Sequence, residues 1–171
     1  MDKTNITLIG MPGSGKSTVG VILAKAAGFN FIDGDLLIQE REHRLLREII
    51  ADEGTDGFKR IEDEVNASIE TENSVISPGG SIVYCENAMA HLKEISTVVY
   101  LYLEYEALAN RLGDLTKRGV VLKPGFTLRD LYNERSPLYE KYADFTVDAD
   151  KGTPQAVMRE IVRKLNIENR V

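Results

Sequence analysis

A lone cysteine, Cys85, has no partner for an intrachain disulfide. Nothing in the chain therefore points to an oxidising compartment, and Cys85 reads as a small, partly buried residue. Histidine is nearly as scarce: His43 and His91 have no neighbours at metal-ligand spacing and read as surface positions. Long apolar runs are missing too. The longest, Thr97 to Leu103, is far short of the roughly 20 residues that cross a bilayer. Met1-Asp2-Lys3-Thr4 leads straight into a strand-like segment, without the apolar core of a secretory leader. Nor is there an excess of positive charge. Against 27 Asp and Glu stand 21 Lys and Arg, a net charge of −6, which argues against nucleic acid as the main partner but permits a local basic pocket. No segment is of low complexity, and 43% of the residues are hydrophobic. The expectation is one globular domain over 1–171, cytoplasmic and monomeric, with no membrane association.

What is present alternates. Ile6-Thr7-Leu8-Ile9, closed by Gly10, reads as a buried strand, and Lys16 to Ala27 carries apolar residues at helical spacing up to Gly28. Phe29 to Ile32 is a second strand, ending at Asp33-Gly34-Asp35. A charged helix is expected over about Leu36 to Ala51, a break at Asp52 to Gly57, and another helix from Phe58 to Thr71. Strands follow at Ser74 to Ser77, Thr97 to Leu103 and Phe145 to Val147, with helices at Glu86 to Lys93 and Glu104 to Leu112. Thr127 can cap a helix running towards Tyr142, which Pro137 should kink or end locally, and Thr153-Pro154 starts one that reaches about Leu165. Five strands alternating with helices predict an α/β fold, a five-stranded parallel sheet between two helical layers. Ligands in such sheets bind beyond the carboxyl ends of the strands, here Gly10, Asp33 and Ser77 to Gly80.

Gly10-Met11-Pro12-Gly13-Ser14-Gly15-Lys16-Ser17 matches the phosphate loop G-x-x-x-x-G-K-[ST], between a strand and a helix as the motif requires. Gly13, Ser14 and Gly15 let backbone N–H groups curl round phosphate oxygens, with Thr18 following in the first helical turn. Lys16 suits the β- and γ-phosphates, and the Ser17 hydroxyl suits Mg²⁺. A GTPase would carry N-K-x-D and D-x-x-G; neither occurs. A chain this short has no room for the machinery of a motor, so a kinase of a small molecule or nucleotide remains. Asp33 and Asp35, close to the phosphate loop in a doubly wound sheet, can divide the remaining work between metal and acceptor hydroxyl.

The chain resembles the shikimate kinase family over nearly its whole length. The resemblance rests on the phosphate loop continuing Ser17-Thr18-Val19-Gly20, Phe31-Ile32-Asp33-Gly34-Asp35, Gly57-Phe58-Lys59-Arg60-Ile61-Glu62, Ser77-Pro78-Gly79-Gly80, and Glu134-Arg135-Ser136-Pro137-Leu138-Tyr139 followed by Ala143-Asp144. It implies a P-loop kinase fold with a lid at about 113–125, ATP and Mg²⁺ as reactants, and a small hydroxylated, carboxylate-bearing acceptor. Asp33 would hold Mg²⁺ with Ser17, and Asp35 would orient the acceptor hydroxyl or take its proton. Gly79 and Gly80 would offer backbone to the acceptor, and Lys59 and Arg135 would meet its carboxylate. Arg118 would close on the phosphates as a catalytic group beside Lys16 and Asp35, and Arg111 would pack on adenine.

Three departures fall on the acceptor and lid side. The family's F-R-x-x-E has Lys59 in place of arginine, with Glu62 kept. A lysine lacks the planar two-pronged fork of arginine, and the neighbouring Arg60 points about 100° away on a helix. The family's third consecutive glycine is Ser81, and its R-P-L-L is Arg118-Gly119-Val120-Val121. Shikimate is the leading acceptor on this resemblance. Gluconate, homoserine and threonine stay open, as does a regulatory nucleotide-binding module that has lost transfer. A nucleotide monophosphate kinase is disfavoured for want of a longer, arginine-rich lid. The tyrosines read as core packing, the run Glu62-Asp63-Glu64 as a solvated helix face with Glu62 able to orient Lys59, and Arg41, Arg44 and Arg47 as a solvated basic stripe on one helix.

Overall fold

Short apolar runs rich in β-branched residues form five strands, all parallel: β1 (Asn5–Ile9), β2 (Asn30–Asp33), β3 (Ser74–Ser77), β4 (Ser96–Tyr102) and β5 (Phe145–Asp148). The computed structural model describes residues 3–112, 125–150 and 152–167. In space the strands run β2-β3-β1-β4-β5, the expected parallel sheet. β1 is buried at every position because β3 and β4 flank it and helices cover both faces. The chain moves outward from β1 to one side and then crosses to the other, so the ends of β1, β2 and β3 meet at the carboxyl edge of the sheet. Leu8, Ile9, Val75, Ile76, Val98 and Leu101 are at 0% exposure and form the middle of the core.

Helices α1 (Lys16–Ala27) and α7 (Pro154–Leu165) pack together on one face. Gly20 lets α1 lie on the sheet, since a Cβ there would stand 2.6 Å from Phe31 Cε2. On the other face α3 (Leu46–Ala67) packs against α2 (Gly34–Glu42) and α4 (Glu86–Ile95). α5 (Tyr105–Leu112) and α6 (Leu128–Tyr142) flank the carboxyl end of β4. The Thr127 hydroxyl accepts from Asp130 N and the Thr153 hydroxyl from Ala156 N, the caps expected from sequence. α6 reaches Tyr142 as expected, with Pro137 inside it and not ending it, and the Ala143 N–H still reaches Tyr139 O. Tyr100 and Tyr139 stack in the core with ring centroids 5.2 Å apart. No helix among the described residues is long and apolar enough to cross a membrane.

Residues 36–71 depart most from expectation. The chain breaks twice here: at His43 to Leu45, where His43 takes a left-handed conformation (φ 53°), and within the expected stretch 52–57, where Gly54 is non-helical (φ 68°, ψ −178°) and kinks α3. The first break is unexpected, and α3 ends at Ala67 instead of Thr71. Burial holds both sides of the kink: Ile49 before it and Phe58, Ile61 and Val65 after it pack against Ile38 in a second apolar cluster. Arg41, Arg44 and Arg47 consequently form no stripe on one helix. Arg44 sits in the turn and pairs with Glu42, Asp52 and Glu53, while Arg41 on α2 pairs with Glu64.

Candidate active site

Three strand ends build the site. After β1 the chain turns through Gly10 (φ 151°), Gly13 (φ 83°) and Gly15 (φ 95°), conformations that a side chain would strain. At Gly10 a Cβ would also stand 2.8 Å from Leu101 O. The loop delivers the N-terminus of α1 to the carboxyl edge, and Lys16 is folded back into it. Its Nζ donates to Gly10 O (2.9 Å) and Met11 O (3.1 Å). Burial pushes the Lys16 ammonium down to about 8, and the Arg135 charge pushes the same way; Asp35, Asp33 and Glu62 oppose them. Lys16 therefore remains mostly protonated at neutral pH, an ammonium with no bulk water around it. Ser14 Oγ, buried in the same loop, has no hydrogen-bond partner among the described residues, as suits a group that awaits an anion.

β2 ends at Asp33, whose Oδ1 accepts from the backbone N–H groups of Asp35 (3.0 Å) and Leu36 (3.4 Å) and so caps α2. Its other oxygen, Oδ2, accepts from Ser17 Oγ at 3.4 Å. This places one hydroxyl and one carboxylate oxygen together at the mouth of the loop, hard donors of the kind Mg²⁺ takes alongside phosphate and water. No group of three His, Cys, Asp or Glu among the described residues could hold a metal; a metal carried mainly by phosphates needs none. Asp35 turns inward. Burial raises its carboxyl above the usual range, the Asp33 charge adds to this, and Lys16 pulls it back.

A cavity of about 460 Å³ opens beside these groups, lined by Lys16, Ser17, Asp33, Asp35, Lys59, Gly79, Gly80, Ser81, Tyr84 and Arg135, with Leu46, Ile50 and Phe58 as an apolar wall. β3 feeds its floor through Ser77 to Ser81. Gly79 is squeezed between two carboxyls, since a Cβ there would stand 2.6 Å from Glu62 Oε1 and 3.0 Å from Asp35 Oδ1. The Tyr139 hydroxyl fixes the next residue by donating to Gly80 O at 2.6 Å. Arg135, 5% exposed on α6, donates from Nε to the Tyr84 hydroxyl at 3.3 Å. The guanidinium carbon lies 5.2 Å from the Tyr84 ring centroid and Lys59 Nζ 4.6 Å. Two cations thus share one ring in the cavity lining.

The structure thus gathers Lys16, Ser17, Asp33, Asp35, Lys59, Gly79, Gly80 and Arg135 round one cavity, with Gly13 at its edge. Thr18 is exposed on the first turn of α1, outside the cavity lining. Arg111 is not in that lining either: its Nη2 donates to Ala149 O at 3.1 Å, while the adjacent Leu112 packs on Gly13. Arg118, and the lid expected over 113–125 apart from Gly125, lie outside the described residues.

Two residues carry more than the sequence suggested. Tyr84, in the 3₁₀ turn Ile82–Tyr84, organises both cations. Glu62 is fully buried, which corrects the expectation of a solvated acidic face. Asp63 accepts from Asn87 Nδ2 and Ala88 N, and Glu64 pairs with Arg41, so each member of that run has its own partner. The Ser81 hydroxyl contacts Glu62 Oε2 at 2.5 Å and Cys85 Sγ lies 3.7 Å from it, while Oε1 has no hydrogen-bond partner among the described residues. Burial drives the Glu62 carboxyl up to about 7, with the Asp35 charge in the same direction and Ser81 and Arg135 against it.

A raised carboxyl binds its proton more tightly folded than unfolded. Stability from this group is therefore undiminished below about pH 4.5 and falls as pH rises towards 7. Glu62→Gln removes that loss. Relative to wild type the variant should gain about 3 kcal/mol between pH 4.5 and 8, at about 1.4 kcal/mol per pH unit. Urea unfolding at both pH values reads the difference, and a constant offset would show that Glu62 does not titrate between the two.

The comparisons agree with this geometry. The shikimate kinase family model matches residues 12–166. A shikimate kinase of Mycobacterium avium is 42% identical over 161 residues, covering 92% of this chain and 91% of that protein. Among solved structures, shikimate kinase from Acinetobacter baumannii in complex with shikimate superposes with a TM-score of 0.85 at 31% identity, covering 99% of this chain and 96% of the other. The Aquifex aeolicus enzyme gives 0.83 at 34%, over 95% and 96%. The chain, with its phosphate loop and carboxyl-edge cavity, belongs to the shikimate kinase family.

Proposed function

We propose that this protein transfers the γ-phosphoryl group of ATP to the 3-hydroxyl of shikimate, with Mg²⁺. The observation that carries this reading is one cavity lining that joins Lys16, Ser17 and Asp33 with Asp35 and with Lys59 and Arg135 round Tyr84. That set suits an acceptor that carries both a hydroxyl and a carboxylate, bound beside a triphosphate.

The loop N–H groups and the α1 N-terminus hold the phosphates. Lys16 leaves the Gly10 and Met11 carbonyls for the β- and γ-phosphates. Ser17 and Asp33 would hold the Mg²⁺, which supplies charge neutralisation on the phosphate oxygens. Lys59 and Arg135 fix the acceptor carboxylate, and Gly79, free of a side chain, lets the acceptor ring approach. Asp35 aligns the hydroxyl and takes its proton as the new O–P bond forms and the bond from Pγ to the ADP oxygen breaks. Arg111 against adenine and Arg118 on the transferring group complete the reading, with lid closure over 113–125. In this reading the protein works as a single cytoplasmic domain and as a monomer.

The test is ADP release from ATP and Mg²⁺ with shikimate, compared with no acceptor, gluconate, homoserine and threonine. Saturable turnover with shikimate is expected. Turnover with another acceptor alone would overturn the assignment of shikimate, and silence with all would favour a regulatory nucleotide-binding module.

A further inference from the structure

Ser81 and Lys59 both depart from the family pattern, and the structure links them through Glu62. α3 carries Lys59 and Glu62 three residues apart, the spacing at which helix side chains meet. Among the described residues no ion pair joins them. Lys59 Nζ lies over the Tyr84 ring instead. The Ser81 hydroxyl occupies Glu62 Oε2 at 2.5 Å, from the loop that also forms the cavity floor, and Cys85 Sγ approaches the same oxygen at 3.7 Å. Oε1 is turned against Gly79, in a space where no side chain would fit. The carboxyl is therefore held from the loop side, and the helix lysine is left facing the cavity.

We propose that Ser81 is a positioning residue for the acceptor: by holding Glu62 it keeps Lys59 off that carboxylate and on the acceptor side of Tyr84. The physical reason is the buried negative charge that Glu62 carries above about pH 7. In that ionised form, a Glu62 without its Ser81 donor needs another partner, and Lys59 is the cation one helical turn away. Drawn onto Glu62, the ammonium would leave the acceptor carboxylate with Arg135 alone. Ser81 then sets acceptor affinity without touching the reacting atoms. The lysine gives the device its purpose, because an ammonium lacks the planar fork that lets a guanidinium face two carboxylates with separate N–H pairs.

This inference rests on the proposed function, and a double-mutant cycle on Ser81 and Lys59 tests it. Steady-state kinetics are measured at about pH 8, where Glu62 is ionised, with whichever acceptor of the panel the wild-type protein phosphorylates. Ser81→Ala should raise the acceptor KM about tenfold, with kcat within about twofold and the ATP KM unchanged. Ser81→Thr, which keeps the hydroxyl, should stay near wild type. Lys59→Met should raise the acceptor KM further, and adding Ser81→Ala to it should then cost nothing more. Additive effects, or a Ser81→Ala variant with unchanged acceptor KM, would overturn the inference while leaving the kinase reading intact. A wild-type protein silent with every acceptor would overturn the proposed function and this inference with it.

Discussion

Alanine at position 16 is expected to lower kcat for phosphoryl transfer by at least about a thousandfold, the scale on which a dry, preorganised charge stabilises a transition state. Lys16 is 9% exposed and is held by two carbonyls of its own loop, at 2.9 and 3.1 Å. Its ammonium is already desolvated before the phosphates arrive, so little reorganisation accompanies the reaction. Removing it leaves Asp33 and Asp35 beside the transferring group without the cation that offsets them. Nucleotide binding should weaken less than turnover, because the loop N–H groups and the helix dipole remain. The fold should hold, since the substitution deletes a buried charge that itself costs free energy. Single-turnover assays, ATP titration and thermal melting separate these effects; a variant within tenfold of wild-type kcat would exclude the role.

The sheet and the nucleotide side were legible from sequence because each rests on a local rule. Strand ends fall within a residue of the apolar runs, and α1 begins and ends where glycine and periodicity place it, at Lys16 and Ala27. Asp33 and Asp35 are tied by sequence spacing to the end of β2, so a two-residue motif sufficed to bring them beside the phosphate loop. The acceptor side was less legible because long-range packing decides it. The glycine-rich stretch 52–57 announced the kink that falls at Gly54, but nothing local to His43 to Leu45 announced the turn there, since no glycine or proline marks it. Glu62 looks solvated among acidic neighbours, yet Phe58, Ile61 and Val65 share its helical face, and that spacing was the available signal of burial. Tyr84 lies four residues after Gly80 in a 3₁₀ turn and matches no motif, and its role follows from two cations that α3 and α6 bring to it.

Asparagine at position 35 should lower kcat by about 10² to 10⁴, the span attributed to a positioned acid or base, while leaving nucleotide affinity within a few-fold. The geometry separates the two outcomes. Asp33 is held through the backbone N–H of residue 35, not its side chain (3.0 Å), so the Ser17–Asp33 pair persists in the variant. The side chain itself faces Gly79, where an amide of nearly equal size fits but cannot take the hydroxyl proton. A second consequence runs through Lys16. Asp35 is the largest of the charges that hold the Lys16 proton against burial, so neutralising it pushes the ammonium below about 8 and leaves it partly deprotonated at neutral pH. Activity lost for that reason returns as pH is lowered; activity lost with the base does not. A pH series on Asp35→Asn should therefore show a small recovery on the acid side beneath a large, pH-independent deficit. Near-normal turnover, or full recovery at low pH, would remove Asp35 from the reaction and leave it as support for Lys16.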